Sequence, residues 1–110
     1  MASVDYKLAL KIVEEALRHW DPIGVIGSLR EDGLPPDEYD GYAPQIFAYV
    51  RDGADAKTVA KQLAWIRSTS MCLGPSRPSE HEEEIGEKLV AWRESGYVDN
   101  PDFQFTRYAL

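Results

Sequence analysis

The sequence predicts a mostly α, compact four-helix domain with a long first connection and an aromatic C-terminal tail. Three observations carry that prediction. Apolar residues recur at spacings of three and four along four segments of the 110-residue chain. Local cap and stop chemistry separates those segments. The stretch from Trp20 to Tyr42 concentrates aromatic residues, carboxylates, prolines and glycines between two helical patterns. At 44% apolar residues the chain can bury one core without a covalent staple.

The first helix spans about residues 4–19. Leu8, Ile12, Val13, Ala16, Leu17 and Trp20 share one face, and Ser3 is placed to cap its start. Asp21-Pro22 ends it, because proline disfavours helical geometry in the residue before it. Residues 22–29 read as loop, with Val25-Ile26 as a short extended piece weakened by Gly24 and Gly27. Pro35-Pro36 makes a stiff turn. A second helix covers about 38–51, with a helical turn at Asp37 to Asp40 continuing, bent at Pro44, into the main segment.

Asp52-Gly53 stops that helix, and Asp55 caps a third over about 55–68. Ala56, Val59, Ala60, Leu63 and Ile66 form its inner face, and Trp65 lies roughly 120° away from them. Ser79 and Glu82 have the form of a capping box that opens a fourth helix over about 79–95. Ile85, Leu89 and Trp92 face inward there, while Glu80, Glu83, Glu84 and Glu87 load its start with charge favoured by the helix dipole. The tail, 97–110, alternates aromatic and polar residues at Phe103, Phe105 and Tyr108, leaving room for a minor β element.

Nineteen carboxylates against twelve Lys and Arg give a net charge of −7. Direct nucleic-acid binding is disfavoured, since it depends on cations that neutralise phosphate. No apolar run approaches the roughly 20 residues of a membrane span, so no membrane contact is expected. No signal peptide is visible at Met1-Ala2-Ser3-Val4-Asp5, and the single Cys72 cannot build an internal disulfide. These features predict a cytoplasmic protein.

The phrase Trp20-Asp21-Pro22-Ile23-Gly24-Val25, followed by Asp37-Glu38-Tyr39-Asp40, resembles a domain-of-unknown-function family of small, acidic, largely helical bacterial proteins. Gly53-Ala54-Asp55-Ala56 and Met71-Cys72-Leu73-Gly74 are similar to the same family, although Cys72 stands where its members carry glycine. The resemblance covers about residues 5–93. It implies the helical fold, makes Trp20, Asp21, Pro22 and Gly24 a structural signature, and brings no activity with it.

Catalytic chemistry finds little support. Cys72 lies between Met71 and Leu73, a setting that reads as apolar packing and an inert thiol. His19 and His81 lack the partners of a metal or nucleophile site and read as solvated, His19 being favoured as a cation at a helix C-terminus. Neither a phosphate-cradling glycine loop nor a nucleophile elbow is present, and no cofactor or catalytic residue is assigned. Two function classes remain. One is a non-catalytic protein-binding module, immunity-like by analogy of size and charge or regulatory, whose acidic-aromatic surface of Tyr39, Asp40, Tyr42 and Trp65 engages a basic protein. The other is a small metal-binding protein or enzyme in which Asp21, Asp37 and Asp40 converge on a hard cation.

Overall fold

A computed structural model describes residues 6–22, 24, 26–34 and 37–97. The protein is mostly α, and no strand occurs among the described residues. Five helices follow one another: α1 (Tyr6–Trp20), α2 (Ile26–Glu31), α3 (Ala43–Arg51), α4 (Ala56–Trp65) and α5 (Glu80–Glu94). The Ser3 cap, the Pro35-Pro36 turn and the tail beyond Tyr97, with its minor β element, lie outside the described residues.

In α1 the inner face is Ala9, Val13, Ala16, Leu17 and Trp20, with Ile12 partly buried. Leu8, expected on that face, is 59% exposed, so the buried stripe begins one residue later. Asp21 closes the helix in the left-handed region at φ 35, with its N–H on the Leu17 carbonyl at 3.1 Å.

The loop expected over 22–29 is corrected by α2. Its six residues are too few to show a helical period. It is closed by paired backbone bonds, from Leu34 N–H to the Leu29 carbonyl and from Gly33 N–H to the Arg30 carbonyl. That closure places Gly33 at φ 72, where glycine meets no Cβ penalty.

The bend before α3 is a 3-10 turn over Asp40–Tyr42, and Pro44 sits in the first turn of α3, where its missing N–H costs nothing. Asp55 caps α4 by accepting from Thr58 N–H at 2.8 Å. That bond holds the Asp55 carboxyl below its usual range, helped by nearby Lys57 and Lys61. The expected third helix does not run straight to Ser68. From Ile66 to Ser70 the chain widens into a π-helical turn, with Met71 N–H bonded to the Ile66 carbonyl at 3.3 Å. The Ser79–Glu82 capping box at the start of α5 is present in both directions, at 3.1 and 3.0 Å.

Val13, Leu17, Ile46, Phe47, Val50, Val59, Leu63, Leu89 and Trp92 meet in one core. α1 packs on α3 and α5, and α4 makes its closest approach to α5. Arg93 ties the end of α5 to the α3–α4 turn by donating to the carbonyls of Val50 at 2.9 Å and Ala54 at 2.6 Å. Gly86 permits the tight α4–α5 approach, since a Cβ there would stand 2.5 Å from the Ala56 carbonyl oxygen. A Gly86→Ala substitution is expected to cost about 1–3 kcal/mol through that backbone clash, despite alanine's better helix propensity. Urea unfolding checks the sign: a stabilised variant would show that the helices slide apart freely.

Candidate functional site

The signature residues converge, and they converge inward. Trp20, at the end of α1, is buried, and its indole N–H donates to Glu82 Oε2 at 2.8 Å. Asp21 Oδ1 accepts from the Tyr39 hydroxyl at 2.6 Å and from Gly24 N–H at 3.1 Å. Pro22 is half-buried in the turn between them, and Gly24 holds φ 77. The Trp20 and Tyr39 rings pack with centroids 5.6 Å apart. Asp40 Oδ2 accepts from Arg18 Nη2 at 3.0 Å. The first connection is therefore a set of ties between α1, the 3-10 turn and α5.

Glu82 is the centre of the largest of these ties. The sequence places it only in a capping box, yet it is buried. Its Oε2 accepts from Trp20 Nε1 and from Arg67 Nε, and its Oε1 accepts from Arg67 Nη2 at 3.0 Å and from Ser79 N–H. Arg67, in the π-helical turn, donates through Nη1 to the carbonyls of Leu73 at 2.6 Å and Pro75 at 3.1 Å, and through Nη2 to that of Arg77 at 2.9 Å. All five guanidinium N–H groups thereby have acceptors. Burial pushes the Glu82 carboxyl up, but the bonds from Arg67, Ser79 and Trp20 outweigh it and hold it below its usual range. Arg67 is raised, chiefly by its bond to Glu82.

Two further charged groups, both beside Asp40, are structural. Glu14 is raised, first by burial and then by the charge of Asp40. Arg18 is raised because the Asp40 bond and the charges of Asp40, Glu15 and Glu14 overcome its desolvation. Among the described residues no three His, Cys, Asp or Glu side chains are placed to hold a metal ion. Asp21 and Asp40 are bonded within the fold, and Asp37 is exposed.

His81 is exposed, as expected, and His19 departs from expectation. The His19 side chain is 10% exposed rather than solvated, and lies 3.7 Å from Glu15 Oε1. Burial lowers its pKa below 6.5, Glu15 opposes that, and Arg30 and His81 reinforce it, so the cation is disfavoured. His81 Nε2 lies 2.6 Å from the His19 carbonyl and must donate to it, since a carbonyl only accepts. Cys72, expected in apolar packing, is exposed at φ 55.

The four residues expected on a partner surface separate. Tyr39 is wholly buried and leaves the surface. Asp40 is paired with Arg18, and Tyr42 is half-buried against the core. Trp65 is 49% exposed. Its structural neighbour is Tyr49, 38% exposed on α3. With Gln45 and Gln62 these aromatics line a shallow groove of about 360 Å³ between α3 and α4. Helical spacing puts Tyr49 beside the apolar face of its helix. That it stands next to Trp65 depends on how α3 meets α4.

Protein-family models, curated proteins and solved structures were each searched, and none matches this chain. No helix among the described residues is long and apolar enough to cross a membrane.

Proposed function

We propose that this protein is a non-catalytic protein-binding module, of a regulatory or immunity-like kind, acting in the cytoplasm. Its working surface is the groove between α3 and α4. The observation that carries this reading is the pairing of Trp65 and Tyr49 at that groove while the other two tryptophans are buried. Exposed tryptophan and tyrosine lining one groove are side chains that often anchor protein interfaces. Three carboxylates and one histidine are engaged in the fold: Asp21 with Tyr39, Asp40 with Arg18, Glu82 with Arg67, and His81 with the His19 carbonyl. The resemblance of the Trp20–Asp40 signature to small acidic helical proteins belongs to the same reading.

Immobilised protein carrying Trp65→Ala and Tyr49→Ala, singly and together, tests the proposal. Each exposed substitution is expected to change unfolding free energy by less than about 0.5 kcal/mol. Proteins captured by the unaltered chain should be lost by the double variant. Undiminished capture by a folded double variant would sink the reading.

A further inference from the structure

The charge of the chain is sorted along its length. Between Ala56 and Ser79 there is no Asp or Glu, while Lys57, Lys61, Arg67 and Arg77 fall in that stretch. α3 likewise contains no carboxylate. Arg67 is committed to Glu82, and Arg51 lies 3.6 Å from Asp52 and over the Phe47 ring. Lys57 and Lys61 remain exposed, one turn apart, on the same helical stripe as Trp65. Asp55 senses both lysines, but its oxygen is held by Thr58 N–H. The groove lining itself is two glutamines and two aromatic rings. Exposed glutamates gather elsewhere, at Glu80, Glu83, Glu84 and Glu87 of α5.

From this charge pattern we infer that the α3–α4 groove binds an acidic peptide segment. Trp65 and Tyr49 hold an apolar side chain of the peptide, and Lys57 and Lys61 pair with carboxylates on one side of it. The inference rests on the groove being the working surface and reverses the partner charge that net −7 suggests. The field that selects a docking partner is the local one, because screening confines charges to about 8 Å at physiological salt. An acidic segment is repelled by α5 and attracted at the lysine stripe, which makes the site selective in position as well as in charge.

A displayed library of random short peptides, selected on the full chain with the Trp65→Ala variant as counter-selection, decides it. The expected pool is rich in Asp and Glu around an apolar residue. Its affinity should fall about tenfold or more in Lys57→Glu/Lys61→Glu, and much less in Lys7→Glu/Lys11→Glu, which makes the same net-charge change on α1. Binding should weaken from about 0.01 M to about 0.15 M salt as the screening length drops from roughly 30 to 8 Å. A Trp65-dependent pool rich in Lys and Arg, or one indifferent to the Lys57 and Lys61 reversals, would overturn the inference and leave the binding-module reading intact. A selection yielding no Trp65-dependent peptide would overturn both. Self-association at low salt that the Lys57 and Lys61 reversals abolish would assign the groove to the acidic α5 of a second copy, and so overturn the peptide assignment.

Discussion

Replacing Arg67 with methionine is expected to destabilise the protein by about 3–5 kcal/mol, the range for removing one partner of a buried ion pair. The substitution keeps much of the aliphatic bulk and deletes all five donors. Glu82, whose side chain is 2% exposed, would retain a carboxylate with only Trp20 and Ser79 to stabilise it. The carbonyls of Leu73, Pro75 and Arg77 would lose their shared donor. Denaturant unfolding measures the cost, and a loss below about 1 kcal/mol would show that water replaces the guanidinium without difficulty. The Arg67→Met/Glu82→Met double variant should recover part of the loss, because most of it comes from stranding a charge.

The same pair sets the response to acid. Glu82 has its folded pKa held below the ordinary 4.5, so the stability it contributes is complete above 4.5 and disappears as pH falls through the lower folded value. His19 is also depressed, below 6.5, so an earlier loss begins as pH falls through 6.5 towards its folded value. Glu14, whose folded pKa is raised, acts in the opposite sense and offsets part of the acid loss. Unfolding midpoints measured against pH should therefore decline in two stages. Removing the first stage is the expected effect of His19→Gln, and blunting the second that of Arg67→Met.

Trp20→Ala is expected to cost about 3–5 kcal/mol, as large-to-small changes at buried tryptophans do. Two losses combine in it: the packing of an indole that stacks near Tyr39, and the donor to Glu82. Trp20→Phe separates them. It keeps an aromatic ring but deletes the N–H together with the smaller ring of the indole, so a cost of at least about 1.5–3 kcal/mol, the range for a hydrogen bond to a charged group, is expected, and less than that of Trp20→Ala. Equal costs for the two variants would mean that the ring contributes nothing beyond its N–H, contrary to its burial at the α1–α5 junction.

Features governed by neighbouring residues were legible in the sequence. Asp55 and Ser79 with Glu82 act within one helical turn and are readable as caps, whereas Pro44, expected to bend a longer helix, stands in the first turn of α3. Helical geometry puts Trp65 off the inner face of its helix and leaves open whether it meets another element; the structure shows it 49% exposed. What escaped were pairings made by distant chain segments. Glu82 sits among five other glutamates of α5, and its cation lies fifteen positions back across a loop. Tyr39 fits both the apolar face of the second helix, by spacing, and an acidic-aromatic surface, and its burial follows from the way the first connection folds onto Trp20. The lysine stripe beside Trp65 was present in the sequence but hidden by the total charge, which says nothing about where charges lie.

The Arg67 fork acts as a cross-link. It closes the chain between the end of α4 and the start of α5, fixing three loop carbonyls along the way. A disulfide at the same place would stabilise mainly by restricting the unfolded chain and would depend on the redox state of its surroundings. This closure restricts nothing in the unfolded chain, where the two side chains separate, and it is indifferent to oxidant and reductant. The loop keeps its shape in reducing and oxidising compartments alike, and acid, which protonates Glu82, is what is expected to loosen it.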